Sequence, residues 1–107
     1  MLVFTGPDVL VTYERTGGFA GIREKVTVDV SGKALVNDEK VALDDREMRG
    51  LRDALGRVVT TESSSAGCRV ADHFTYTLTY RGRSATRCWL PSDWEDAVTR
   101  LEALTRR

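Results

Sequence analysis

Two stretches of this chain alternate apolar and polar residues with a period of two, and no other feature restricts the fold as strongly. In "REKVTVDV" (residues 23–30), Val26, Val28 and Val30 point one way and Lys25, Thr27 and Asp29 the other. In "HFTYTLTY" (residues 73–80), Phe74, Tyr76, Leu78 and Tyr80 alternate with Thr75, Thr77 and Thr79. Period two with one polar side describes a strand that packs on one face and meets water on the other. "VLVTYE" (residues 9–14) is β-branched and aromatic and reads as a third strand. Residues 1–4 read as a short strand piece or a frayed end. "ALV" (residues 34–36), between the turn sequences "SGK" and "NDEK", reads as the start of another short strand.

Half-wet strands need a cover on their dry side, and two segments supply it. Asp44 followed by Glu47 is a capping box with Asp in place of Ser or Thr. Leu43 and Met48 flank it as a hydrophobic staple. Met48, Leu51, Leu55 and Val58 then fall on one stripe, and Gly56 marks the frayed end. Ser92 and Glu95 form a second capping box with Pro91 just outside, and Trp94, Ala97, Val98, Leu101 and Leu104 make its stripe. The expected fold is α+β: an antiparallel sheet of four strands or slightly more, with two helices packed on one face. The 107 residues fit a single domain, 1–107, with no internal repeat.

The "RGR" turn between the last two strands decides what the return strand "SATRCWL" buries. A bulged turn at Gly82 would set Cys88 and Leu90 beside Phe74. A two-residue loop would set Trp89 there instead. Arg-Gly is a poor two-residue pair because both positions need positive φ, so the bulge is expected.

Charge narrows the function. Sixteen basic and 16 acidic residues cancel and are interleaved along the chain, which is not the footprint of a nucleic-acid binder. No apolar run reaches membrane-span length, and no signal-like opening is present, so a cytoplasmic location is expected. Cys68 and Cys88 are then expected to be reduced, packed side chains.

Catalytic machinery is hard to find. His73 is the only histidine, and no C-x-x-C or H-x-x-x-H spacing accompanies it, so no metal and no cofactor is expected. A Cys68 nucleophile with His73 as base would lack an orienting group and an oxyanion hole. "SSS" (residues 63–65) lacks the strand–elbow–helix context of a hydrolase serine. The acidic clusters Asp44/Asp45 and Asp93/Glu95/Asp96 sit in first helical turns, where the dipole favours them. The chain reads as a binder and not an enzyme.

The most distinctive stretch is Thr16-Gly17-Gly18-Phe19-Ala20-Gly21-Ile22. It is not a phosphate loop, since no lysine and no helix follow. One reading is a hairpin connection whose glycines supply positive φ while Phe19 folds back on the core. The other is an apolar anchor held at a projecting tip, with glycines that let a partner's backbone come close.

"ERTGGFAGIREKVTVD" resembles the signature of the emfourin family, small protein inhibitors of thermolysin-like metallopeptidases such as protealysin. The likeness extends by element order from about residue 9 to 104, through the Leu51/Leu55 helix stripe and the Asp72, Tyr76, Leu78 strand pattern. Only residues 17–22 are distinctive. The chain departs from the family pattern at residues 1–8 and at 60–69. The resemblance implies a partner, a thermolysin-like zinc metallopeptidase, and an inhibitor that is monomeric when free. It implies that Gly17, Gly18, Phe19, Ala20, Gly21 and Ile22 enter the substrate cleft. Phe19 or Ile22 would fill an apolar subsite, and Arg15 and Asp72 would meet charges at the rim. The competing class is a non-inhibitory adaptor or antitoxin-like module that binds through the open sheet face of Thr75, Thr77, Thr79 and Arg87.

Overall fold

A computed structural model describes residues 9–18, 21–58, 68–69 and 73–106. In chain order the elements are β1 (Val9–Gly17), β2 (Ile22–Asp29), β3 (Lys33–Val36), β4 (Glu39–Ala42), α1 (Asp45–Leu55), β5 (Phe74–Tyr80), β6 (Arg83–Arg87) and α2 (Ser92–Leu104). The strands form one antiparallel sheet in the order β4-β3-β2-β1-β5-β6. The fold is α+β, and the sheet has six strands where four or slightly more were expected. The turn at Asn37 and Asp38, both at positive φ, returns the chain as β4, which the sequence reading did not separate from a loop.

One face of the sheet is dry. Val11 and Tyr13 of β1, Val26 and Val28 of β2, Ala34 and Val36 of β3, Leu78 of β5 and Ala85 of β6 are buried there. Against them lie Met48, Leu51, Ala54 and Leu55 of α1, and Trp94, Ala97, Val98, Leu101 and Leu104 of α2. The two stripes anticipated from the sequence are therefore the helix faces that close the core, except that Val58 lies past the end of α1 and packs half-buried against that core. Asp96 of α2 ties the helices together by pairing with Arg57, just beyond α1, and it also pairs with Arg100 Nε of its own helix at 3.0 Å.

The helix starts differ. Asp44 caps α1 as expected: its Oδ1 accepts from Glu47 N at 2.7 Å, and Glu47 Oε1 accepts from Asp44 N at 3.2 Å. The second box does not form. Ser92 is already the first helical residue, and Pro91 holds the cap position with no side-chain hydrogen bond. Extended φ and ψ at Pro91, with its carbonyl accepting from Trp94 N at 3.0 Å, open the helix without a side-chain cap.

Val30 also departs from expectation, being 47% exposed. The carboxylate of Asp29 accepts from Ser31 N, Ser31 Oγ and Lys33 N at 2.7–2.9 Å, which closes a turn and lifts Val30 out of the strand. Burial pushes the Asp29 carboxyl up, but these hydrogen bonds and the Lys33 charge outweigh it and hold it below its ordinary value.

The β5–β6 connection is a two-residue loop, contrary to the expected bulge. Tyr80 pairs with Arg83, and Arg81 and Gly82 both take positive φ, at 54° and 75°. Arg81 tolerates the left-handed region here, and its guanidinium packs over the Tyr80 ring at 5.1 Å. Tyr76 pairs with Arg87 as the last pair of the ladder, and just beyond it the Cys88 sulfur lies 3.9 Å from the Thr75 hydroxyl. Cys88 and Cys68 are joined in a disulfide. The expectation of two reduced, separately packed thiols is thereby corrected: the hairpin register brings Cys88 to the edge where Cys68 lies. Among the described residues, no helix is long and apolar enough to cross a membrane. The strand piece at residues 1–4 and the polar loop at 60–67 lie outside the described residues.

Candidate functional site

The distinctive heptad joins the two central strands of the sheet. Gly17 pairs with Ile22 across β1–β2 and with Phe74 across β1–β5. Residues 18–21 therefore form the connection itself. Gly17, Gly18 and Gly21 have φ of 107°, 76° and 63°, all left-handed, where residues other than glycine are strained. The glycines answer to different constraints. A Cβ on Gly17 would sit 2.6 Å from the His73 carbonyl oxygen, and one on Gly18 would sit 2.7 Å from the Phe74 ring. A Cβ on Gly21 would meet nothing within 4 Å. Two glycines are thus required by the neighbouring strand, and only the third by backbone conformation alone.

The base of the connection is fixed. Gly18 N donates to His73 O at 3.0 Å, and Gly21 N donates to Gly18 O at 3.3 Å across positions 19 and 20. Phe19 and Ala20 lie outside the described residues, as does Asp72. Ile22 is half-buried and opens β2, while Gly21 is exposed.

Arg15 lies two pairs inward. Its Nη2 donates to Glu24 Oε2 at 2.9 Å, its Nε lies 3.3 Å from Glu102 Oε1, and its guanidinium stacks 4.7 Å from the centre of the Phe74 ring. Nε is buried and has no hydrogen bond; the Glu102 oxygen meets it as an ion pair only. Arg15 already has two carboxylate partners within the molecule, so its visible work is to brace Phe74, against which Gly18 packs. A cation over an aromatic ring contributes about 0.5–1 kcal/mol or more once partly desolvated.

Beneath Arg15, Tyr13 OH donates to Glu102 Oε1 at 2.5 Å. Burial raises the Glu102 carboxyl above its ordinary range, against the opposing pull of the Tyr13 hydrogen bond and the Arg15 charge. Burial and the bond to this carboxylate push the Tyr13 hydroxyl far up, so it stays protonated. This strand–helix tie was not visible in the sequence, because Tyr13 and Glu102 stand 89 residues apart.

Sequence reasoning also missed Trp89. At 73% exposure it is the most exposed large apolar side chain among the described residues. It lies two residues past the end of β6. Arg87, expected on the open face, instead stacks on Trp94 of α2 at 5.2 Å, because the two-residue turn turns it inward. On the open face, Thr77 pairs with Thr86 at 3.2 Å and Thr79 with Ser84 at 3.0 Å.

Comparisons with family models, with curated proteins and with solved structures each returned no match.

Proposed function

We propose that this chain is a protein inhibitor that occludes the substrate cleft of a thermolysin-like zinc metallopeptidase with the β1–β2 connection, residues 17–22. The reading is carried by one observation: a glycine connection between the two central strands whose base is held against His73 and Phe74 and whose Gly21 is exposed, with open space where its side chain would be. A connection held in this way loses little conformational freedom on docking, so more of its contact energy survives as affinity. The missing side chain at Gly21, where a Cβ would face open space, keeps that side of it slim for a cleft built to accept extended peptide.

Phe19 and Ile22 are the apolar anchors in this reading, and the exposed indole of Trp89 extends the contact on the β6 side. Tryptophan is among the residues most often found at the energetic centre of interfaces. Residues 17–22 carry no thiol, imidazole or carboxylate, so the block is steric. Arg15 supports the connection through Phe74, and Asp72 is the rim charge. A complex of this class buries about 1,600 Å² in total. The free inhibitor is a monomer. The rival reading, a module that binds through the open sheet face, has less to work with. The hydroxyl pairs Thr77–Thr86 and Thr79–Ser84 satisfy one another. The disulfide fits an oxidising compartment better than the cytoplasm that the opening residues suggested.

The test is a titration of active thermolysin-like peptidases with the purified protein. Activity should fall linearly to zero near one molar equivalent. Full turnover at a large molar excess, across several such enzymes, would rule the reading out.

A further inference from the structure

One cluster of chemically able side chains plays no part in that reading. The sulfur atoms of Cys68 and Cys88 and a ring nitrogen of His73 all lie within 4.8 Å of one another. We propose that, once the disulfide is reduced, Cys68, Cys88 and His73 form a zinc site, so that one pair of sulfurs serves either as a cross-link or as metal ligands.

Two thiolates and an imidazole are a recurrent zinc donor set, with zinc–sulfur bonds of about 2.3 Å and zinc–nitrogen bonds of about 2.0 Å. Tetrahedral angles then require donor atoms roughly 3.5–3.8 Å apart. Both sulfur-to-nitrogen separations already fall within 4.8 Å. The sulfurs, bonded at about 2.0 Å in any disulfide, need to part by less than about 2 Å. The Cα atoms are 5.0 Å apart, so side-chain rotation supplies that change.

The scaffold supports two of the donors without the cross-link. His73 directly precedes β5, and its carbonyl is pinned by Gly18 N at 3.0 Å. Cys88 directly follows β6 and faces Thr75, whose hydroxyl lies 3.9 Å from its sulfur. A thiolate accepts from that hydroxyl better than a disulfide sulfur does, and such outer partners orient metal ligands. Among the described residues three protein donors come together, which leaves the fourth position to water.

The chemistry balances. A dithiol reductant gives two electrons and two protons to the disulfide and becomes a disulfide itself. Zinc then displaces the two thiol protons as it binds. Metal and cross-link cannot coexist, so zinc holds the chain in the reduced state.

The experiment uses the full chain, reduced with a dithiol, desalted without oxygen and titrated with Co²⁺. The reduced protein should take up one Co²⁺ with a near-ultraviolet thiolate-to-cobalt band that Zn²⁺ abolishes, and the oxidised protein should show no band. Removing even an outer-shell partner costs about 10–100-fold in metal affinity, so His73→Ala should weaken zinc binding by at least that much. Saturating zinc should also shield both thiols of the wild type from alkylation, a readout that needs no variant. Zinc binding no tighter than that of the Cys68→Ser/Cys88→Ser protein, equal affinity in His73→Ala, or alkylation at the metal-free rate would each overturn the proposal.

Discussion

Gly17, Gly18 and Gly21 share a left-handed backbone, yet substitution should separate them. Gly18→Ala places a Cβ against the Phe74 ring as well as straining φ, whereas Gly21→Ala strains φ alone. A left-handed non-glycine residue costs about 1–2 kcal/mol, so Gly21→Ala should lose about that much in urea denaturation and Gly18→Ala more. Equal losses would show that Phe74 does not press on the loop. The need for positive φ was legible in the glycine spacing. The role of β5 was not, because the contacting His73 and Phe74 lie more than fifty residues on and no local pattern links them. Arg15 is a similar case: the sequence shows a charge, and the fold decides that it faces Glu24, Glu102 and Phe74. The buried carboxylates give a pH test of opposite signs. Glu102 holds its proton more tightly folded than unfolded, so its contribution is complete below the unfolded value and lost as pH rises through the raised folded value. Asp29 is depressed, so its contribution is present above the ordinary value and lost as pH falls through the folded one. Thermal midpoints across acid to neutral pH should therefore favour Glu102→Gln over wild type increasingly as pH rises. Those of Asp29→Asn should approach wild type as pH falls. Differences that stay flat with pH would contradict both assignments.

Helix caps and cross-links belong to the element scale. Asp44→Ala removes a formed capping box and should cost about 1 kcal/mol. Ser92→Ala removes a side chain that caps nothing and should change stability by only a few tenths of a kcal/mol. Chemical denaturation of the two variants measures this contrast, and equal losses would mean that Ser92 does cap α2. Both sequences carry the same box pattern. The difference lies in Pro91, whose extended backbone starts the helix one residue early. The disulfide closes a loop with a sequence separation of 20, a size at which cross-links contribute about 3 kcal/mol. Denaturation midpoints with and without a dithiol should differ accordingly, and coincident midpoints would show that the cross-link constrains little. Strands and helices were legible because their periods are written locally. The β5–β6 turn was not, because Arg81 adopts a conformation its own preference disfavours, and that one choice sets Arg87 against Trp94 and Cys88 beside Thr75, the reverse of the faces expected for them.

For the whole molecule, the sheet order explains how the base of the glycine connection is supported. β1 and β2 occupy the middle of six strands, each hydrogen-bonded on both sides, and α2 reaches β1 through Glu102, Tyr13 and Arg15. A connection between edge strands would lack that support. The layered α+β architecture was readable from alternation and two apolar stripes, since burial of one-faced elements leaves few other solutions. The position of the hairpin at the sheet centre was not readable, because strand order depends on long-range pairing. The central claim is that this supported connection is the plug of a protease inhibitor. The most direct measurement is the inhibition constant of wild type and Phe19→Ala/Ile22→Ala against a thermolysin-like peptidase, with circular dichroism confirming an unchanged fold. Loss of two anchor side chains of about 2 kcal/mol each predicts a weakening of several hundredfold or more. An unchanged constant for the folded variant would contradict the account.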